Sequence, residues 1–399
     1  MLTLKTFLAL LLVGYMVLVT PTGCTKTEST QPVAPERVLV SSKLIGEYQA
    51  NELRGRFSGA LAPVQLFVRY GIKVYRIEYT TTNTDGKPVK ASGALLVPNK
   101  EGAMPLISAQ HGTIASDAEA PSYYKSGSEI YTFGTLFAAQ GYIVAAPDYI
   151  GYGASKDLPH TYEHREGLAT ASLDMLRASR EFLAGQKVNW DNRLFITGYS
   201  EGGYASMALQ KKIEEETGNE FNLVASSLGA GAYDKTATMR YLVTSRTTTN
   251  SDYNRLYTWV LLTYDRIYGL NRPASYYFKE PYATRVAQSG RNASISVSLN
   301  DAFTDSFKKA ANEGTDQAFV DAVADNDVYD WKPRTPTRLY HGTADNLVFF
   351  FNSQHAYDAM QKRGATNVKL YPIRNATHAT GLVEFILGTY SFFTNPSNL

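Results

Sequence analysis

Near its middle, the chain reads Leu194-Phe195-Ile196-Thr197-Gly198-Tyr199-Ser200-Glu201-Gly202-Gly203. The first four residues predict a buried strand, and residues 204–213 predict a helix that follows directly. A serine at such a sharp strand-to-helix turn holds its hydroxyl above the edge of a sheet, at the positive end of the helix. The pattern Gly-x-Ser-x-Gly is weak evidence by itself, but this context makes Ser200 a candidate nucleophile. The alternative interpretation is that Ser200 only caps the helix.

Strand and helix patterns alternate around this turn, which predicts an α/β fold with a mostly parallel central sheet and helices on both faces. Residues 72–79 alternate apolar and polar side chains, and a turn at Asp85-Gly86 leads to a returning strand at residues 94–97. Further buried strands are predicted at residues 104–109, 142–146, 194–197, 223–228, 337–340 and 368–371. Helical spacing is clearest at residues 168–182, after which Gly185 supplies a stop.

Residues 235–332 break this alternation because they contain no convincing core strand. Apolar residues between Tyr253 and Tyr268 recur at helical spacing and predict an amphipathic helix, with shorter helices near residues 303–307 and 319–323. We therefore predict a helical cap at residues 235–332, inserted into a sheet domain of residues 45–234 and 333–399. The apolar stripe from Tyr253 to Tyr268 either packs on the sheet domain or lines a pocket above Ser200.

The composition is that of an ordinary globular protein. Of the 399 residues, 44% are hydrophobic and 19% are charged, and the net charge is +2. The sequence has no long basic run with interleaved aromatic residues, so nucleic-acid binding has no support. It also has no phosphate-binding loop and no clustered thiols, so it implies no metal, nucleotide or redox cofactor.

A serine hydroxyl needs a base to accept its proton, and the base needs a carboxylate to orient it. His378 lies in the loop after the last predicted strand and is the candidate base. Asp345 lies in a tight loop after the preceding strand and is the candidate acid. Asp148 also follows a strand, but it precedes Ser200 in the chain and is interpreted as structuring its loop. The chain order Ser200, Asp345, His378 is the order in which a fold of this kind carries its nucleophile, acid and base.

The other histidines have simpler interpretations. His341 is expected to hydrogen-bond loop backbone, and His355 is expected to lie on the surface of a helix. His160 and His164 are close together, but no third ligand lies near them in the sequence, so a zinc site there is the weaker alternative.

The oxyanion of a tetrahedral intermediate needs hydrogen-bond donors. The backbone N–H of Glu201, directly after the candidate nucleophile, is one candidate, and the side chain of this residue is interpreted as structural. The loop after residues 104–109 supplies the second candidate donor through Gly112 or Thr113.

Together these motifs resemble the α/β-hydrolase superfamily over residues 45–234 and 333–399. The run at 148–153, the turn at 198–203 and the large insertion before Asp345 are similar to the secretory lipase family. This resemblance implies a serine carboxylic-ester hydrolase acting on small-molecule or lipid esters, with Ser200 as nucleophile, His378 as base and Asp345 orienting it. The chain differs from extracellular fungal members by lacking disulfide cysteines, which leaves the acyl-chain preference open.

Two other functions are compatible with the same motifs. A serine exopeptidase of the prolyl-oligopeptidase-like type shares similar motifs, but such enzymes generally carry a large β-propeller, and the stretch between the leader and residue 72 is too short for one. A non-catalytic binding module on a hydrolase scaffold would usually have lost one member of the triad.

The first residues have the pattern of a secretory leader. Lys5 precedes apolar residues 7–20, and Gly23 precedes Cys24, the only cysteine of the chain. We interpret residues 1–23 as a signal peptide and residues 24–44 as a lipid-anchored tether, because the junction resembles the lipobox of bacterial lipoproteins, with Pro21 in place of the usual leucine. The expected location is the bacterial cell envelope, by a lipid anchor in the membrane, or outside the cell. The alternative is ordinary signal cleavage with an incidental Cys24.

Replacing Cys24 tests the anchor. After expression in a bacterium, the wild-type protein should partition into the detergent phase, and Cys24→Ala should be soluble or remain unprocessed. Stable anchoring needs more than one acyl chain, as in a bacterial lipoprotein, and Cys24 is the predicted site of lipidation. Replacing this cysteine should therefore abolish anchoring. Ser29→Ala, also in the tether, is the matched control and should partition like wild type. Equal partitioning of Cys24→Ala and wild type would leave only a plain signal peptide.

Overall fold

The computed structural model describes residues 37–395, and it arranges them around a nine-stranded sheet of order β1-β2-β3-β5-β4-β6-β7-β8-β9. The strands are β1 (Leu39–Tyr48), β2 (Ile72–Thr82), β3 (Pro88–Pro98), β4 (Met104–Gln110), β5 (Ile143–Pro147), β6 (Trp190–Tyr199), β7 (Asn222–Gly229), β8 (Thr337–Gly342) and β9 (Val368–Ile373). The pairs β1–β2, β2–β3 and β3–β5 are antiparallel, and all pairs from β5 to β9 are parallel. The predicted hairpin and parallel sheet are confirmed.

Helices connect the strands. They are α1 (Ala50–Arg54), α2 (Thr135–Ala138), α3 (Arg165–Gly185), α4 (Glu201–Glu216), α5 (Lys235–Thr244), α6 (Ser251–Ile267), α7 (Ala274–Tyr277), α8 (Tyr282–Ser289), α9 (Leu299–Ala302), α10 (Asp305–Glu313), α11 (Gln317–Ala324), α12 (Phe351–Lys362) and α13 (Gly381–Thr394). Short 3-10 helices lie at Gly59–Phe67, Asp117–Glu119, Pro121–Tyr123, Gly153–Ser155 and Gly290–Asn292, and a π-helical turn lies at Ile130–Gly134. None of the helices within residues 37–395 has the length and apolar character to span a membrane.

Two apolar cores lie on opposite faces of the sheet. Strands β4 and β5 are buried along their whole length, as expected for central parallel strands. Successive side chains alternate between the faces, so Leu106 joins the core under α3 and α4, whereas Ile107 joins the core under α13. Leu194 and Phe195 divide in the same way on β6. The sheet is therefore fixed from both sides close to the turn that carries Ser200.

Between β7 and β8 the chain forms helices α5 to α11. These helices pack around an apolar core of their own, which is rich in aromatic side chains: Tyr277, Phe278, Phe303, Phe307 and Phe319 are each at most 1% exposed. The amphipathic pattern between Tyr253 and Tyr268 corresponds to α6. The insertion is thus held together by its own packing as well as by its contacts with the sheet.

Strand β1 begins at Leu39, so residues 39–44, which were predicted to belong to a lipid-anchored tether at residues 24–44, are part of the sheet, and this predicted boundary is wrong. The strand lies at the edge of the sheet, and most of its residues are exposed or half-buried, which removes the alternation that would reveal it. The Glu181 carboxylate accepts hydrogen bonds from the N–H groups of Val38 (3.0 Å) and Leu39 (3.1 Å) and fixes the start of the strand. The predicted signal peptide of residues 1–23 and Cys24 lie outside the described residues.

Helix α3 begins at a buried histidine cap. The Nδ1 atom of His164 accepts a hydrogen bond from the N–H of Gly167 at 3.0 Å, and the residue is 6% exposed. Burial lowers the pKa of His164 from 6.5 to about 4, although the nearby Asp325 carboxylate acts in the opposite direction. The cap needs an unprotonated Nδ1, so protonation both charges a buried ring and breaks the cap.

The cap should make stability depend on pH between 6.5 and 4. In this window the unfolded chain binds a proton at His164, whereas the folded protein does not. The neutral His164 cap therefore contributes to the free energy of unfolding above pH 6.5, and this contribution is lost as the pH falls. The loss should reach about 3 kcal/mol at pH 4. His164→Asn keeps a capping oxygen and does not titrate. The difference in free energy of unfolding between wild type and His164→Asn, measured by urea denaturation, should therefore change across this window. A difference that is independent of pH would contradict the prediction.

Candidate active site

Ser200 stands at the turn between β6 and α4, where its backbone has φ 60° and ψ −125°. A non-glycine residue held in such a conformation is strained by roughly 1–3 kcal/mol and needs its surroundings to maintain it. Here the N–H of Ser200 donates to the carbonyl of Gly229 at 2.9 Å. A Cβ atom at Gly202 would lie 2.2 Å from the carbonyl oxygen of Gln110, so only glycine permits the helix to pack this closely against β4. The turn predicted from the sequence is present.

The structure brings the three predicted triad residues together. His378 follows β9, and its Nε2 atom lies 2.9 Å from Oγ of Ser200. The Nδ1 atom of the same ring lies 2.7 Å from Oδ2 of Asp345, which follows β8. Tyr199 donates its hydroxyl hydrogen to the carbonyl of His378 at 2.7 Å, which fixes the backbone of the loop. The ring therefore stands between a hydroxyl and a buried carboxylate, as a general base must.

The carboxylate of Asp345 is held in its charged form. Its Oδ1 atom accepts hydrogen bonds from the N–H groups of Leu347 and Val348, each at 2.9 Å. Burial alone would raise the pKa of Asp345, but hydrogen bonds from His341 and His378 outweigh it and lower the pKa to about 2. His341 also lies 2.7 Å from the carbonyl oxygen of Val348, in line with its predicted contact with loop backbone.

Asp148, the alternative acid, lies in a different environment. It is buried, and its carboxylate accepts hydrogen bonds from the hydroxyl of Ser92 and from the N–H of Ser122 at 2.8 Å. These contacts join β3 and the loop before α2 to the end of β5. The geometry therefore supports its interpretation as a residue that structures its loop, and it places Asp345 beside His378.

The loop of Gly112 and Thr113 lies next to the nucleophile, because a Cβ atom at Gly112 would stand 3.8 Å from Cβ of Ser200. The N–H of Gly112 donates to Oε2 of Glu129 at 2.8 Å, so this predicted donor is already engaged. The hydroxyls of Thr113 and Tyr162 are 2.9 Å apart. Within residues 37–395, the N–H of Thr113 has no acceptor, which leaves it as the candidate donor from this loop.

The side chain of Glu201 is used structurally, as predicted. Its Oε1 atom lies 2.7 Å from Nε2 of His160, and both side chains are almost fully buried. The Nδ1 atom of His160 lies 2.6 Å from the carbonyl oxygen of Ile150. This ring connects the loop after β5 to the first residue of α4, whose N–H was predicted to be an oxyanion donor.

The remaining predicted histidines have local partners. His164 caps α3, and His355 is exposed on α12 with Nδ1 at 2.8 Å from Oδ2 of Asp234. Within the described part of the chain, no three or more His, Cys, Asp or Glu side chains are grouped so that they could hold a metal ion.

A cavity that is partly open to solvent reaches Ser200. One wall comes from α6, which contributes four residues of the predicted stripe: Leu256, Tyr257, Val260 and Tyr264. Two of these also attach the insertion to the sheet domain, because the hydroxyl of Tyr257 donates to the carbonyl of Leu347 (2.6 Å) and that of Tyr264 to the carbonyl of Glu163 (2.9 Å). The stripe therefore both packs on the sheet domain and lines the cavity.

The cavity also contains a buried ion pair that the sequence analysis did not identify. Lys235, the first residue of α5, donates to Oε2 of Glu163, which precedes α3. Burial raises the pKa of Glu163 and lowers that of Lys235, whereas their mutual attraction opposes both shifts. The two residues are 72 positions apart, so no local motif could have identified the pair.

Two solved structures have a fold similar to that of this chain. A ligand-bound form of the rice cell wall degrading esterase LipA from Xanthomonas oryzae is 25% identical, with a TM-score of 0.77, over 90% of this chain and 98% of that chain. Lipase A from Candida antarctica is 16% identical, with a TM-score of 0.65, over 90% of this chain and 83% of that chain. The predicted α/β-hydrolase fold is thus confirmed.

No curated protein sequence matches the chain. The model of the secretory lipase family matches residues 128–386, which is more than half of the sequence and includes Ser200, Asp345 and His378. Because the family model matches more than half of the sequence, and because the chain is similar in structure to an esterase, we conclude that it belongs to the secretory lipase family and is a carboxylic ester hydrolase.

Proposed function

We propose that the enzyme cleaves carboxylic esters through an acyl-enzyme intermediate on Ser200. The observation that carries the proposal is the continuous chain of hydrogen-bond distances from Ser200 Oγ through His378 to Asp345, at 2.9 and 2.7 Å. The hydroxyl, imidazole and carboxylate have the order and spacing that nucleophilic catalysis requires. The similarity to an esterase supports an ester as the substrate.

The reaction follows from these contacts. Ser200 Oγ attacks the carbonyl carbon of the ester, and its proton passes to Nε2 of His378, while Asp345 stabilises the imidazolium through Nδ1–H. The intermediate then collapses, the C–O bond to the alcohol breaks, and His378 returns the proton to the leaving alkoxide. Water attacks the acyl group by the reverse sequence, which releases the acid and restores Ser200.

The oxyanion of each tetrahedral intermediate needs donors aimed at it. We assign this role to the backbone N–H groups of Glu201 and Thr113. Glu201 is the first residue of α4, so its N–H has no intrahelical acceptor and lies at the positive end of the helix. Thr113 lies beside Gly112, whose own N–H is engaged by Glu129.

We also propose that the enzyme acts outside the cytoplasm, held at the bacterial envelope by a lipid on Cys24. The leader pattern and the membership of a secretory family support this location. An anchored enzyme would meet small-molecule or lipid esters at the cell surface.

Two substitutions test the chemistry. A fluorophosphonate probe should label Ser200, and Ser200→Ala should abolish both labelling and ester turnover. Asp345→Asn should keep the fold but lower kcat by about 10⁴-fold, because the imidazole then adopts the wrong tautomer.

Asp148→Asn is the matched control, since it alters the other aspartate that follows a strand of the same sheet. Circular dichroism should accompany the kinetics because Asp148 supports its loop. Ester turnover that survives Ser200→Ala would refute the proposed nucleophile. A large loss of kcat in a folded Asp148→Asn, with a small loss in Asp345→Asn, would identify a different acid.

The cavity wall should set the acyl-chain preference. Val260 lines the cavity and is half-buried, so Val260→Trp should shorten the space available to the acyl group. The ratio of kcat/KM for octanoate to that for acetate p-nitrophenyl esters should fall about tenfold or more, since each methylene in an apolar pocket contributes roughly 10–200-fold. Tyr253→Trp, on the same helix but outside the cavity, should leave the ratio unchanged. An equal loss for both esters that follows a fall in Tm would assign Val260 to packing alone.

A further inference from the structure

The cavity that reaches Ser200 is mostly apolar, but one wall carries the ion pair of Lys235 and Glu163. The side chains of the pair are only 4% and 9% exposed. The apolar lining consists of Ala232, Met239, Leu242, Leu256, Val260, Val323, Leu347 and Val348, together with the rings of Tyr162, Tyr257 and Tyr264. Burying two charged groups costs several kcal/mol per ion in desolvation even when they are paired. A pocket that binds only alkyl chains would gain nothing from these groups to offset that cost.

The pair retains hydrogen-bonding capacity. An ammonium group has three N–H donors, and that of Lys235 uses one on Glu163 and turns toward the ring of Tyr204, whose centroid lies 4.2 Å from Nζ. Within the described residues, Lys235 is the only hydrogen-bond partner of the Glu163 carboxylate, which can accept several bonds. Donors and acceptors therefore remain for a ligand.

The other polar side chains of the lining are already engaged. The hydroxyl of Thr238 donates to the carbonyl of Asp234 at 2.8 Å. Asn352 accepts from the N–H of Asp234 at 3.0 Å and donates to the carbonyl of Phe349 at 3.1 Å. The ion pair is thus the polar feature of the cavity that is left to recognise a substrate.

The backbone of Glu163 is held in an unusual conformation. Its φ is 49°, which is strained for a residue with a side chain, and its carbonyl accepts a hydrogen bond from Tyr264 of the cavity wall. Strain of this kind persists where the surroundings enforce it, and it is concentrated at functional sites. This observation is independent of the charge of the pair.

We propose that Lys235 and Glu163 form a subsite for esters whose acyl chain carries a hydroxyl group; the proposal rests on the function proposed above. A hydroxyl both accepts from an ammonium group and donates to a carboxylate, so it satisfies the two partners together. A carboxylate on the acyl chain would be repelled by the carboxylate of Glu163, and an amine on the acyl chain would be repelled by the ammonium group of Lys235. A neutral donor–acceptor group matches a pair whose net charge is zero.

The wild-type enzyme provides the first test. Methyl esters of four to ten carbons, each with and without a hydroxyl at a defined position of the acyl chain, are followed by pH-stat titration. One hydroxyl position should raise kcat/KM at least about tenfold over the matched plain ester, since hydrogen bonds to charged groups are among the stronger ones. The preference should be absent for hydroxyls on the alcohol side. No preference at any position, or a preference on the alcohol side only, would overturn the proposal.

The second test removes the pair. Removing one partner would leave a buried charge, so both are replaced, as Lys235→Met with Glu163→Gln. The hydroxyl preference should fall to within about twofold of unity, whereas a preference retained in a folded double variant would overturn the proposal. Arg272→Met with Asp316→Asn removes an ion pair of the insertion outside this cavity and should retain the preference. Turnover of plain esters by the wild-type enzyme is measured in parallel, because its absence would count against the proposed function rather than against the subsite.

Discussion

The geometry of the site depends on one close approach between two stretches of backbone. A Cβ atom at Gly198 would lie 2.7 Å from the carbonyl oxygen of Gln110, and one at Gly202 would lie 2.2 Å from it. Because only glycine fits at both positions, the first turn of α4 packs directly against the end of β4, and Ser200 takes its positive φ between them. Strands β4 and β7 pair with β6 on either side and hold it in place. The strained turn therefore persists only because the parallel sheet around it is complete.

Buried charges are concentrated around this turn. Glu201 is paired with His160, Glu163 with Lys235, and the carboxylate of Asp345 accepts hydrogen bonds from the adjacent loop. A buried carboxylate without a partner is costly, so each of these groups fixes the element that supplies its partner. The side chains packed around these groups shield them from bulk water, so the electrostatic interactions within each pair are stronger than they would be in water.

The features that the sequence predicted are those encoded locally. The turn at Ser200, the central strands and the loops that carry Asp345 and His378 follow from periodicity and from chain order, because parallel strands end at one edge of the sheet. Strand β1 was missed because none of the residues of this edge strand is fully buried, and its sequence shows no apolar alternation. The pairing of Lys235 with Glu163 and the engagement of Gly112 by another carboxylate could not be predicted, because they join residues that only the tertiary fold brings together.

The backbone of Leu347 links the cavity wall to Asp345, the proposed catalytic acid. Its N–H donates to the carboxylate of Asp345, and its carbonyl accepts the hydroxyl hydrogen of Tyr257 from the helical insertion. Two hydrogen bonds therefore connect α6 to Asp345, whose carboxylate lies 2.7 Å from Nδ1 of His378. If the proposed function holds, substitutions in α6 that shift Tyr257 should therefore change kcat as well as KM.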